Sequence, residues 1–96
     1  MNEADQRWAV TDRFAITARV WDDGMVVYDA RCDEIHCFDD LTAQVFTELR
    51  SAPCRVSQLV SVLSNRLDVV PDAELEALVR EILVNLDSSQ LAVPLG

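Results

Sequence analysis

The sequence has no lysine, two glycines, one histidine and an aromatic content of only 6%. Gly24 and Gly96 stand alone, so there is no glycine-rich loop to cradle a phosphate. With His36 as the one imidazole and no recognisable oxyanion-stabilising element, the parts of a catalytic site are few, and no enzyme is expected. Nothing approaches the run of about 18 apolar residues that spans a bilayer. The start of the chain, with Glu3 and Asp5 and no apolar block, is the opposite of a secretory signal, which places the protein in the cytosol.

Cysteine is scarce and odd in number. Cys32, Cys37 and Cys54 cannot close a full disulfide framework, and in the cytosol they are simply reduced thiols. Cys32, His36 and Cys37 cluster in sequence, but the Cys-x-x-Cys spacing of structural zinc is absent, so neither metal nor cofactor is expected. Cys37 follows His36 directly on a strand, which points the two side chains to opposite faces. Cys32 could reach His36 only around a bend.

What the chain does carry is negative charge. Its 96 residues hold 17 acids against eight scattered arginines, for a net charge of -9. Such a field repels nucleic acid and anionic membrane alike. Half the residues are apolar, which is a globular composition of single-domain size, and one domain over residues 1–96 is expected.

The front half alternates like strands. Phe14 to Trp21 places Ile16, Ala18 and Val20 on one face, and Asp22-Asp23-Gly24 then reads as a tight hairpin turn. Met25 to Tyr28 returns, and Glu34 to Phe38 makes a third strand. Trp8-Ala9-Val10 is a further short strand or an anchored tail. From Asp39 the period becomes helical. Asp39 or Asp40 caps a helix with Leu41, Val45, Phe46 and Leu49 on one face, ending before Pro53. Ser57 caps a second helix with Leu59, Val60, Leu63 and Leu67. Pro71-Asp72 opens the longest, with Leu75, Leu78, Val79, Ile82, Leu83 and Leu86 on its stripe. Leu91 to Leu95 forms a terminal strand that Pro94 confines to an edge. The predicted fold class is α+β and winged-helix-like, a three-stranded antiparallel β-meander followed by three α-helices.

That shape raises DNA binding, but the third helix offers Glu74, Glu76 and Glu81 to phosphates, and the charge disfavours it. Peptide capture fits better. The third strand ends the meander and so lies at an edge, where unpaired backbone can template an incoming strand, with the long helix as the wall of a groove. Val84 and Ala77, opposite the helix stripe, form an exposed apolar spot that leaves room for a homodimer.

The hairpin Trp21-Asp22-Asp23-Gly24-Met25-Val26-Val27-Tyr28-Asp29, the strand Glu34-Ile35-His36-Cys37-Phe38 and the capped helix after it resemble PqqD-related proteins, small peptide chaperones that act as precursor-peptide recognition elements. More narrowly, the hairpin and the third-strand His resemble the PqqD-like member of systems that also encode an HPr-kinase-related protein. The resemblance implies that the leader of a ribosomally made precursor peptide adds as a strand to the third strand, against the third helix, and is presented to a modifying enzyme. Carried over by position, the peptide-binding residues are Glu34, Ile35, His36, Cys37 and Phe38, with Leu75, Leu78, Val79 and Ile82 as the wall. The competing reading is a protein–protein interaction or regulatory winged-helix module.

Overall fold

The structure is a computed structural model that describes residues 6–95. Glu3, Asp5 and Gly96 lie outside the described residues. The elements run β1 (Arg7–Val10), β2 (Ile16–Trp21), β3 (Gly24–Asp29), β4 (Glu34–Asp39), α1 (Asp40–Ser51), β5 (Cys54–Arg55), α2 (Val56–Leu67), α3 (Ala73–Ser88) and β6 (Ala92–Leu95). This is the α+β order expected, meander first and helices after. A second small sheet joins parts of the chain far apart in sequence. Its order is β5-β1-β6, and the meander's is β2-β3-β4. Trp8–Val10 is thus a strand, paired on one side with β6 and on the other with the two-residue β5. Pro94 sits on the edge strand β6, where its missing N–H costs no ladder bond.

The helix caps follow from side-chain chemistry. Asp39 accepts from the Thr42 N–H at 2.8 Å and Asp72 from the Leu75 N–H at 2.9 Å, each satisfying a free amide of the first turn. The expected cap at Ser57 is displaced. Helix α2 begins at Val56, and the Gln58 side chain accepts from the Arg55 N–H at 2.7 Å. Ala43, Val45, Phe46 and Leu49 of α1, Leu59 and Leu63 of α2, and Val79, Leu83 and Leu86 of α3 then bury against Ile16, Met25 and Val27 of the sheet. Two stripe positions fall outside this core. Val20 on the edge strand β2 is 70% exposed, and Leu67 in the last turn of α2 is 41% exposed. Phe38 reaches past the first turn of α1 to meet Phe46 edge-on, with ring centroids 5.4 Å apart.

The hairpin turns differently from the sequence expectation. The loop is Asp22–Asp23, and Gly24 is already paired with Trp21 as the first residue of β3. None of the three has a positive φ. Glycine is required here for another reason: a Cβ at Gly24 would strike the Phe38 backbone carbonyl on β4. The glycine therefore sets the close approach of β3 and β4.

At the other end of β3, the carboxylate of Asp29 is buried, with 1% relative exposure. It receives the Arg31 guanidinium through two bonds, 2.9 Å to Oδ1 and 2.8 Å to Oδ2, and the Arg31 backbone N–H at 3.0 Å. The same guanidinium donates to the Gln90 carbonyl at 2.7 Å, as does the Thr11 hydroxyl at 2.7 Å. Gln90 adopts a left-handed conformation, φ 61, just beyond α3. Its N–H bonds the Asp87 carbonyl and the Leu91 N–H bonds the Leu86 carbonyl, which closes the helix as a Schellman motif. The clamp therefore ties the end of β3 to the end of α3.

Two outcomes follow from these contacts. Gly24→Ala should lower stability by about 1–3 kcal/mol in urea unfolding, because backbone rather than a pliable side chain must move. The Arg31 hydrogen bonds, opposed by burial, hold the Asp29 carboxyl at about 2, below its ordinary 3.8. A depressed carboxyl contributes stability above its unfolded value and loses it as pH falls through the folded one. Asp29→Asn should therefore be less stable than the unmodified protein by about 1–3 kcal/mol near neutral pH. Unfolding curves at several pH values should show that gap closing between about pH 4 and pH 2.

Candidate peptide-binding edge

Strand β4 pairs with β3 along its whole length, from Glu34↔Asp29 to Gly24↔Asp39. It is the outer strand of its sheet, and among the described residues no strand covers its far side. Half its backbone groups therefore face outward unpaired, the geometry on which an extended segment can add.

The register sorts its side chains. Glu34, His36 and Phe38 are level with Asp29, Val27 and Met25, all buried, and so share the helix-side face. Ile35, 68% exposed, and Cys37 lie on the outer face beside Tyr28 and Val26. A depression of about 450 Å³ runs along the strand between these residues and α3, continuing past Asp39 to Thr42. Its helical wall is Asn85, Leu86 and Ser89, near the end of α3.

This wall is one to two turns beyond the one expected from sequence. Leu75, Val79 and Ile82 are 6%, 0% and 5% exposed and lie within the core, where they pack against the other elements, and Leu78 is half-buried against it. The five strand residues Glu34 to Phe38 stay together at the edge. The depression takes in Asn85, Leu86 and Ser89, which the sequence reading does not single out as a wall, because a stripe gives a face of α3 and not which turn stands beside the strand.

His36 is the chemically unusual member. Its Nε2 is shielded from solvent and makes no hydrogen bond, and the Glu34 carboxylate stands 3.6 Å away, at ion-pair distance for a protonated imidazole. Desolvation, reinforced by Asp29 and Glu34, pushes the Cys32 thiol up, and desolvation with Glu48 raises Cys54, so both favour the less reactive protonated form. All three cysteines are free thiols. No group of three or more metal-binding side chains is assembled among the described residues.

The surface is poorly furnished for phosphates. Glu74, Glu76 and Glu81 of α3 are exposed, Arg80 lies 3.4 Å from Glu76, and Arg66 donates to both Asp40 oxygens at 2.9 and 3.2 Å. Val84 is 57% exposed and Ala77 is exposed beside it on the same helix. No described helix is long and apolar enough to cross a membrane.

No protein-family model matches the chain, and no curated protein matches it. Solved structures do. TbiB1 in complex with the TbiA(beta) leader peptide superposes with a TM-score of 0.74 at 18% identity, over 88% of this chain and 93% of that one. A lasso peptide synthetase B1 complexed with the leader peptide gives a TM-score of 0.71, also at 18% identity, over 91% of this chain and 98% of that one. The chain thus has, over nearly its full length, the fold of two proteins that were each solved with a leader peptide bound.

Proposed function

We propose that this protein is a non-catalytic recognition module that binds the leader of a ribosomally made precursor peptide by strand addition to β4 and presents it to a modifying enzyme. The observation that carries the reading is the open β4 edge with a depression alongside it, in a fold shared with two leader-bound proteins. Backbone pairing supplies affinity without demanding a sequence, and side chains alternating into the depression supply selectivity. Glu34 to Phe38 form the pairing strand, and Asn85, Leu86 and Ser89 the facing wall. Leu75, Val79 and Ile82 support that wall from the core, with Leu78 at its border. The raised Cys32 and Cys54 thiols favour binding over thiol chemistry. The free thiols suit a cytosolic setting. Of the enzymes that could receive the peptide, an HPr-kinase-related protein is the one implied by the sequence resemblance.

Isothermal titration of the full chain with leader peptides encoded beside its gene should give micromolar or tighter binding. Asn85→Trp fills the depression from an exposed position. It should leave stability within about 0.5 kcal/mol and weaken the same peptide by about tenfold or more. Equal affinity in the two proteins would place the peptide elsewhere.

A further inference from the structure

One depression on this acidic molecule is lined by cations alone among its charged residues. It measures about 460 Å³ and is formed by Arg13 and Phe14, in the turn before β2, with Thr47, Arg50 and Ser51 near the end of α1. It shares no residue with the depression beside β4, and β2 is the opposite edge of the meander from that strand. Arg31, Arg66 and Arg80 stand beside Asp29, Asp40 and Glu76, whereas Arg13 and Arg50 make no ion pair among the described residues. Arg50 is half-buried in the last turn of α1, where the helix dipole takes up part of its charge. Arg13 has no such support and lies over the Phe14 ring, 5.7 Å from its centroid. The acids adjacent in sequence are engaged elsewhere. Asp12 accepts from the Phe14 and Ala15 N–H groups at 3.2 and 3.3 Å, and Glu48 accepts from the Gln44 carboxamide at 3.2 Å. Phe14 is thus presented on an anchored turn, yet it is 92% exposed, more than any other large apolar side chain described.

We propose that Arg13, Phe14 and Arg50 form a docking site for an acidic segment of a partner protein, one that carries a carboxylate beside an apolar side chain. Guanidinium groups match carboxylates in geometry as well as charge. The uncovered ring supplies the apolar seat, and arginine with an aromatic is the pairing that dominates protein interfaces. A nucleic acid is disfavoured because its many phosphates meet the net charge of -9. One or two carboxylates on a protein segment need only contact attraction, since the rest of the field is screened beyond about 8 Å. A basic segment meets the two arginines at contact. The site goes beyond leader recognition and does not depend on it. Because the two depressions are separate, a partner held here leaves β4 open to a guest strand.

The test is selection of short displayed random peptides on the full immobilised chain, followed by titration of synthetic winners. Winners that lose affinity on Asn85→Trp belong to β4 and are set aside. The remaining pool should converge on Asp or Glu close to an apolar residue. Those peptides should bind Arg13→Glu about tenfold more weakly, and Phe14→Ser and Arg50→Gln about fivefold more weakly. Changing the peptide's carboxylate to its carboxamide should cost about tenfold on the unmodified protein. The same change should cost less than about twofold once both arginines are replaced. Arg13 and Phe14 are exposed, and the carboxamide comparison is read on the unmodified protein, so the answer does not hang on Arg50→Gln folding. No remaining pool, a pool without acids, or one indifferent to Arg13→Glu and Phe14→Ser overturns the docking site and leaves strand addition standing. Displacement of the winners by micromolar inorganic phosphate overturns it in favour of a free anion. A dimer in sedimentation that Phe14→Ser abolishes overturns it in favour of a second copy of the chain.

Discussion

The structure turns on the buried carboxylate of Asp29 and its ion pair with the part-exposed Arg31. Asp29 and Arg31 lie two residues apart, so their mutual attraction is local, but the same Nη2 that bonds Asp29 also donates across 59 residues to the carbonyl of Gln90. That bond ties the end of α3 to the meander. A buried carboxylate is costly in an apolar surrounding unless its lone pairs are filled. Asp29 meets that condition with three bonds from one residue, one of them a backbone N–H that also shapes the loop leading into β4. The Schellman closure at Gln90 completes the arrangement. It presents a carbonyl that the helix does not need, free to accept from both Arg31 and Thr11. Sheet, helix end and second sheet therefore meet at one backbone atom.

An open strand is also a hazard, since any edge that welcomes a guest welcomes a second copy of itself. Glu34 and Asp39 bracket β4 with like charges, and the chain as a whole repels its own kind at -9. Self-association along this edge would bring those carboxylates together, whereas a guest of neutral or basic character suffers no such penalty. The same acidic composition that argues against nucleic acid thus protects the edge and leaves it available.

Much of this was legible in the sequence and some was not, for definable reasons. The period-two run up to Trp21 and the period-3.6 stripes gave the order of elements, and Asp39 and Asp72 capped as their chemistry dictates, because these signals are local. Gly24 was visible as significant but for the wrong cause. A sequence shows Asp-Gly and suggests a left-handed turn; only the register reveals that the glycine makes room for a carbonyl of β4. Strand β5 has two residues and no periodicity to read. Val20 and Leu67 obey their stripes yet lie beyond the core, because a pattern gives a face and not where the neighbouring element stops. The depression beside β4 meets α3 one to two turns beyond the expected wall residues, which a stripe cannot show because it gives a face and not a level along the helix.

Recognition and steering are separable in such a molecule. Charge acts over about a Debye length and governs how often a guest arrives. The depression beside β4 acts at contact and governs whether it stays. Its lining is largely uncharged at the helix, through Asn85, Leu86 and Ser89, while the acids sit at the two ends of the strand. Basic residues of a guest are therefore best placed outside the paired segment, where they raise the encounter rate without entering the groove.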